Sequence, residues 1–396
     1  MISVTQAQDR IRAAFKPTPS ETVALGEAAG RVLAEDTGAK YDQPPAPVSA
    51  MDGYAMRAVD AANIPASLRV IGSAPAGHPF AGRVNAGEAV RIFTGGVVPD
   101  GADAIVIQED TESFGDHVTI KEAARPGRHI RKAGLDFRNG DVLVTAGKRL
   151  GARDLSLLAA GDIPAIAVRK RPVVCIAATG DELSRPGEAR KPGGIVASSG
   201  YGLSALIRAW GSEPRDLGIL PDTVEAISGI AGAAGGADLI ITMGGASVGE
   251  HDLIQKALGP KGFALDFWKI AMRPGKPLIF GRLGQTPLIG LPGNPVSSLV
   301  CSLLFVKPAI EALLGIAPSK DTVFARLAKD LPANDTRQDY IRAKTGIRDG
   351  ELWAEPFALQ DSSMLRLLAD ASALIVRPPQ APAVHAGERV EILSLE

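Results

Sequence analysis

Cysteine is scarce: the 396-residue chain has only two, Cys175 and Cys301. Two distant cysteines make neither a disulfide framework nor a zinc site. Each lies in an apolar run and reads as a small buried hydrophobe. Aromatics are 5% of the residues, too few for a platform that stacks single-stranded nucleic acid. Charge of one sign is lacking too. The 43 Lys+Arg and 44 Asp+Glu leave a formal net charge of −1, whereas a general nucleic-acid binder carries a basic excess. A local basic pocket remains open. The longest apolar run, LVCSLLFV at 299–306, falls far short of the ~20 residues of a membrane span. The N-terminal MISVTQAQDRIRAAF carries charges where a signal peptide needs an apolar stretch. There is no internal repeat and no low-complexity segment. The expectation is a soluble, cytoplasmic protein with no nucleic-acid and no membrane partner.

What is present fits a multidomain protein. Hydrophobic residues are 45% and charged residues 22%, enough to bury a sizeable core. At ~150 residues per domain the length allows two to four domains. Gly 44 and Pro 29 imply many turns. Ser3 and Gln6 have capping-box spacing, and Val4, Ala7, Ile11 and Phe15 follow a helical period that ends at Pro17 and Pro19. A second short helix is expected around 25–35. YDQPPAP at 41–47 cannot be regular structure, because its prolines remove donors and fix φ. Short β-like runs follow to about 145, and 152–160 read as a helix stopped by Gly161. From 172 to about 316 apolar strands alternate with helical patterns, which indicates a largely parallel sheet. After Pro318 the pattern is β again, with strands at 322–328, 338–347, 351–357, 373–377 and 388–394, a helix at 362–369 and a hairpin signal at Asp349-Gly350.

The candidate chemistry follows the strands of the α/β segment. Glu182 lies in TGDEL, Asp222 follows RDLGIL, and Asp252 follows the Gly-rich GGASVG. Lys269, Arg273 and Lys276 then come with no acid among KIAMRPGK. LPGNPVSS opens a helix, where Asn294 can cap and Pro295 suits the first turn. Free N–H groups there, with Ser297, make an anion site. Ligands in such sheets bind at the carboxyl ends of the strands, where these loops converge. Carboxylates repel a bare anion, but suit one with a divalent metal between them and a phosphate. Plainer readings exist for each piece. Asp222 can be a helix cap, as can Ser199. The glycines can be a structural turn, and the basic residues a solvated face. The joint pattern at successive strand ends is what favours a site. SAMDGYAM, with Asp52, and KAGLDFRNGD, with Asp136, read equally as turns.

PPAPVSAMDGYAM, RIFTGGVVPDGADAIVIQED, ATGDEL, GGASVGEHD, KIAMRPGKP and LPGNPVS together resemble the molybdopterin molybdenumtransferase family, the MoeA-type enzymes that include the E-domain of gephyrin. The resemblance implies an α/β plus β fold in four domains. They are a helical and extended domain from 1–45 and 146–171, an inserted β domain from 46–145, an adenylyltransferase-like three-layer α/β/α domain from 172–318, and a C-terminal β-barrel from 319–396. It implies an elongated homodimer and Mg²⁺-dependent insertion of molybdate into adenylylated molybdopterin, with release of AMP. Further implied partners are the molybdopterin adenylyltransferase and the molybdoenzyme apoproteins or their chaperones. By position, Glu182, Asp222 and Asp252 match the nucleotide and Mg²⁺ site, with Thr179, Gly180, Gly244, Gly245 and Ser247 in the nucleotide loops. Arg273, Lys276, Asn294, Pro295, Ser297, Arg342 and Ser362 match the substrate and oxyanion site. Asp52, Thr94, Asp136 and Lys269 match other active-site positions. The chain departs from the family at Arg273, where Lys is frequent, and at Ala197 and Ser199, where Asp and Asn are frequent. Two other functions are compatible with part of the pattern: a stand-alone molybdopterin adenylyltransferase, and a non-catalytic gephyrin-like scaffold.

Overall fold

The structure is a computed structural model that describes residues 1–244 and 250–395, without the side chains of 250–252. The chain forms two compact units. One holds Met1–Glu21, Gly30–Ala34 and Val168–Glu396, and the other Thr22–Ala29 and Glu35–Ala167.

The first unit contains a six-stranded sheet. Its spatial order is Glu213–Leu220, Val173–Thr179, Leu239–Met243, Thr286–Leu291, Pro277–Leu283 and Phe263–Lys269. The first four strands are parallel, while the Pro277–Leu283 strand runs antiparallel to both its neighbours. Five of the six strands thus run the same way, so the sheet is largely parallel, as expected, with one strand reversed. The reversal follows from sequence: only Gly284 and Gln285 separate the strands Pro277–Leu283 and Thr286–Leu291, which is hairpin length, not crossover length. It leaves the end of Phe263–Lys269 and the start of Pro277–Leu283 at the same edge as the carboxyl ends of the parallel strands.

Successive residues of the Val173–Thr179 strand face opposite ways. Val174, Ile176 and Ala178 join a core with Leu203, Ile207, Val296 and Val300, from two helices. Cys175 and Ala177 join one with Ile227, Ile230, Ile254 and Leu258, from the helices on the other face. Helices on both faces make the three layers. The helical run Pro295–Leu313 is long and apolar enough to cross a membrane by length and composition, and is 67% buried inside the protein. It widens to a π-helix at Ser302–Val306, where Gln8 Nε2 donates to Leu304 O at 3.0 Å. Gln8 belongs to the first helix, Val4–Ala13, whose Ser3–Gln6 capping box is formed.

Strands Thr322–Leu327, Gln338–Arg348, Glu351–Pro356, Ala373–Arg377 and Arg389–Ser394 pair in a closed ring. This is the C-terminal barrel. Asp349 and Gly350 both take positive φ, 52° and 78°, as the hairpin signal requires. Ala343 and Ala354 fill the barrel, while Tyr340 packs outward into the core shared with the α/β layers.

The second unit carries another six-stranded sheet, ordered Ala104–Ile107, Gly53–Met56, Glu88–Ile92, Ala66–Ala74, His117–Ile120, Thr111–Phe114. Asp52-Gly53 is not a turn pair: Gly53 opens a strand flanked on both sides. A Cβ there would lie 2.1 Å from Val106 O, so close approach demands glycine. The helix expected at 25–35 is only a 3₁₀ turn, Leu25–Glu27. Gly26 and Gly30 weaken a helix there, and Leu33 instead bridges to Val168.

Candidate active site

The carboxyl edge of the α/β sheet gathers the sequence-selected residues of the first unit by a simple register. Thr179, Leu220, Met243 and Leu291 end their strands, so Gly180, Asp222, Gly244 and Asn294 follow at one edge. Backbone bonds hold these ends together: Gly180 N–H donates to Leu220 O and Gly244 N–H to Leu291 O, each at 3.2 Å. Gly244 has φ +90°, and a Cβ there would meet Thr179 O at 2.5 Å and its Oγ1 at 2.8 Å. Glycine is thus required for the close approach of two strand ends. Thr179 is 5% exposed, and its Oγ1 is buried with no hydrogen-bond partner among the described residues. A buried unsatisfied hydroxyl at a strand end is a group that a bound ligand can satisfy.

The acidic side of the edge is formed by three residues. Glu182 folds back over Gly180, its carboxylate oxygens 2.6 and 2.8 Å from where a Cβ would stand. Asp222 N–H donates to Asp181 Oδ1 at 3.3 Å. Sequence reasoning passed over Asp181, because TGDEL offers two adjacent acids and only the fold shows which one meets the next strand end. The helix-cap alternative for Asp222 is removed. Thr223 is the N-cap of Val224–Ser228, accepting from Ala226 N. Gly245 and Ser247 lie outside the described residues, as does the Asp252 side chain. No cluster of three metal-holding groups occurs among the described residues.

The basic side comes from the antiparallel part of the sheet. Lys269 ends its strand half-buried, with Nζ 3.6 Å from the centroid of the Trp268 ring, a cation–π contact. Lys276 is exposed at the start of the next strand. Arg273, expected at the oxyanion, is half-exposed and paired with the barrel. Its Nε donates to Asp339 Oδ1 at 2.9 Å, its Nη2 donates to Asp339 Oδ2, and Asp335 stands 3.7 Å from Nη1. That fork-to-fork pair raises the guanidinium pKa further, Asp339 being the main cause.

The start of the Pro295–Leu313 run is joined to the barrel. Asn294 holds the N-cap position but makes no capping bond. Its Nδ2 donates instead to Ser362 Oγ at 3.0 Å, and Val296 N–H donates to Ser362 O at 3.2 Å. Pro295 is the first helical residue, and Ser297 is 5% exposed. Ser199 is likewise not a cap. Ser198 precedes the helix Ser199–Ala209 without a side-chain bond.

Arg342 is 2% exposed. Its Nε and its backbone N–H donate to Gln360 Oε1 at 3.3 and 3.0 Å, and Nη1 donates to Met364 O at 3.2 Å. Its Nη2 is buried with no partner among the described residues. Burial pulls the guanidinium below its usual pKa, with Asp361 acting the other way. A buried cation with no carboxylate bonded to it is costly unless an anion joins it. Gln360, absent from the sequence selection, thus fixes Arg342, while Asp361 accepts from Ser363 N–H and Oγ at 2.8 and 2.6 Å.

Asp52, Thr94 and Asp136 belong to the second unit. Asp52 Oδ1 accepts from Thr94 N at 2.7 Å and from Thr94 Oγ1 at 2.8 Å. These two bonds, the backbone one foremost, hold the Asp52 carboxyl below its usual range. Asp136 is exposed in a separate loop, its N–H bonded to Gln43 O at 2.9 Å.

Comparison with known proteins places the whole chain. Residues 2–161 match the family model "MoeA N-terminal region (domain I and II)". Residues 175–312 match "Probable molybdopterin binding domain", and 325–395 "MoeA C-terminal region (domain IV)". The chain is 36% identical over 387 residues to a molybdopterin molybdenumtransferase of Nostoc sp., covering 95% of this chain and 89% of the relative. It is 35% identical to one from Haemophilus influenzae, over 99% of this chain and 98% of that one. The crystal structure of a molybdopterin biosynthesis MoeA protein from Pyrococcus horikoshii superimposes with a TM-score of 0.86 at 32% identity, covering 100% and 99% of the two chains. With all three regions matched in order along one chain, this protein belongs to the MoeA family of molybdopterin molybdenumtransferases.

Proposed function

We propose that the protein inserts molybdate into adenylylated molybdopterin, with release of AMP, in molybdenum cofactor biosynthesis. The observation that carries this reading is the pairing at one sheet edge of an acidic side, Asp181, Glu182 and Asp222, with a basic side, Lys269 and Lys276. An adenylate and an oxyanion need these two environments side by side.

The acidic side fits Mg²⁺. Its donors are all hard oxygens: the Glu182 and Asp222 carboxylates and the orphaned Thr179 hydroxyl. Glu182 and Asp222 would hold the ion, with Asp252 proposed as a third. When bound, the ion supplies positive charge to the phosphate of the adenylate. The protein's own groups do the rest. Gly180 leaves room for the Glu182 carboxylate, and Gly244 lets its strand end close on Thr179. Lys269 and Lys276 attract the dianionic molybdate, and the buried Nη2 of Arg342 is a donor that an oxyanion can satisfy. The bonds from Thr94 hold the Asp52 carboxyl below its usual pKa and fix its orientation.

The reading includes a homodimer, in which Asp52, Thr94 and Asp136 of each chain serve the active site of the other. It also includes a cytoplasmic setting, in keeping with two free buried thiols. The family resemblance supports the dimer, and light scattering tests it: a fully active monomer would remove it. The test of the reaction is purified protein with adenylylated molybdopterin, Mg²⁺ and molybdate, following AMP release and molybdenum incorporation together. Coupled appearance of both is expected. Consumption of ATP without metal insertion would make the protein an adenylyltransferase, and neither activity would leave a scaffold.

A further inference from the structure

We propose that the pocket beside the Ser199–Ala209 helix holds the pterin ring of the substrate, and that Asp216, with Arg185 next to it, reads the amino-oxo edge of that ring. The proposal rests on the reading above and deepens it, by naming the residues that recognise one half of its substrate.

The pocket encloses about 230 Å³, room for one flat bicyclic ring and not for a whole nucleotide conjugate. Its floor is apolar, made by Ile176, Ala178, Ile219 and Met243. Ala178 and Met243 come directly before Thr179 and Gly244 at the ends of their strands, so the pocket lies beside the loops read as nucleotide-binding. A Cβ at Gly200 would come 3.1 Å from Met243 Cε; glycine keeps that side open.

A bulge places Asp216. Asp216 pairs with Ile176, and Ile219 pairs with Ala178, so one strand advances a residue more than its neighbour. The extra residue breaks the period of two. Asp216 and Ile219 therefore both face the pocket, with Gly218 at φ +88° between them. Gly218 N–H donates to Asp216 Oδ1 at 2.8 Å, and Arg185 Nη2 donates to Oδ2 at 3.3 Å. Each carboxylate oxygen keeps a lone pair for a ligand. The Asp216 and Arg185 side chains are 58% and 47% exposed, so their ion pair is weak and yields readily to one. The helix supplies the facing wall. Tyr201, Ser204 and Arg208 recur there at helical spacing.

The edge chemistry selects the ring. A pterin presents, in order, a 2-amino group, a ring N3–H and a 4-oxo group: donor, donor, acceptor. A carboxylate only accepts and a guanidinium only donates, so Asp216 meets the two donors and Arg185 the oxygen. Adenine instead sets a ring nitrogen, an acceptor, beside its amino group, and that nitrogen would face the carboxylate. The pocket thus separates the two rings of an adenylylated pterin.

The test is a fluorescence titration of wild type, Asp216→Asn and Asp216→Ala with two soluble probes, pterin-6-carboxylate and lumazine-6-carboxylate. The lumazine carries a 2-oxo acceptor in place of the 2-amino donor. Wild type should bind the pterin about tenfold more tightly than the lumazine, and AMP should not displace it. An Asn amide accepts from N3–H and donates to the 2-oxo group, so Asp216→Asn should reverse the preference. Asp216→Ala should weaken pterin binding about tenfold and prefer neither probe. A merely structural Asp216 gives no reversal, and urea midpoints of both variants show that the fold persists. No pterin binding by wild type, equal binding of the two probes, or competitive displacement by AMP would overturn the proposal. AMP release from adenylylated molybdopterin is followed separately. Its absence with the reversal intact removes the functional reading and leaves a pterin site, whereas normal release without the reversal removes the pocket assignment alone.

Discussion

Replacing Arg342 by Met separates the cost of a buried cation from its use. In the wild type the guanidinium is 2% exposed, its Nη2 has no partner among the described residues, and no carboxylate there is bonded to it. An orphaned buried donor costs about 1–3 kcal/mol. Arg342→Met removes that cost and keeps much of the apolar stem. It leaves Met364 O without the Nη1 donor, a loss of about 0.5–1.5 kcal/mol. Gln360 Oε1 is not orphaned, because it also accepts the residue 342 backbone N–H at 3.0 Å. The balance is a variant as stable as wild type, or about 1 kcal/mol more stable, with function lost. The sign agrees with the pKa: burial lowers that of Arg342, so its charge opposes folding at every ordinary pH, and the cost disappears only where the guanidinium deprotonates. Urea unfolding with and without molybdate is the assay. Molybdate at a hundredfold its Kd should stabilise wild type by about 2.7 kcal/mol and the variant by far less. A variant destabilised by about 3–5 kcal/mol, the usual result of breaking a compensated buried pair, would refute the reasoning. It would show that the free protein already neutralises this cation.

Three further outcomes are expected. Gly244→Ala puts a Cβ 2.5 Å from Thr179 O at φ +90°; the backbone strain alone costs about 1–3 kcal/mol, so both the denaturation midpoint and AMP release should fall, and an unchanged midpoint would mean that the strand ends are not in contact. Thr94→Val removes the hydroxyl bond to Asp52 but not the backbone one, so the Asp52 pKa, measured by NMR, should rise part of the way towards its ordinary value. Because that pKa is lowered in the fold, the stability Asp52 contributes is present above its unfolded pKa and lost as pH falls through its folded value, and the variant should lose it at a higher pH than wild type. Asp222→Asn should cut AMP release strongly and raise the Mg²⁺ needed, without rescue by molybdate; normal hydrolysis by this variant would exclude Asp222 from the nucleotide site.

Local patterns alone determined a good part of this protein. The Ser3–Gln6 capping box, the hydrophobic periods of the α/β segment and the Asp349-Gly350 turn are decided within a few residues, and each stands where the sequence put it. The clustering of Gly180, Asp222 and Gly244 at one edge also follows from sequence, since helical crossovers bring each new strand back parallel to the last and so return its carboxyl end to the same side. Tertiary structure alone decided the partners. Arg273 looked like a free cation because no acid lies among its neighbours in sequence, yet its partner Asp339 is 66 residues away and arrives on a barrel strand. Asn294 had the right type and place for a cap, but Ser362, 68 residues on, took its amide. Arg342 could not be read as buried from a strand whose alternation places it outward from the barrel. It is buried where Gln360 and Met364, 18 and 22 residues on, bond its guanidinium. Side-chain charge is written in the sequence, but whether that charge is spent inside the fold or left for a ligand depends on contacts between distant segments, which no local pattern records.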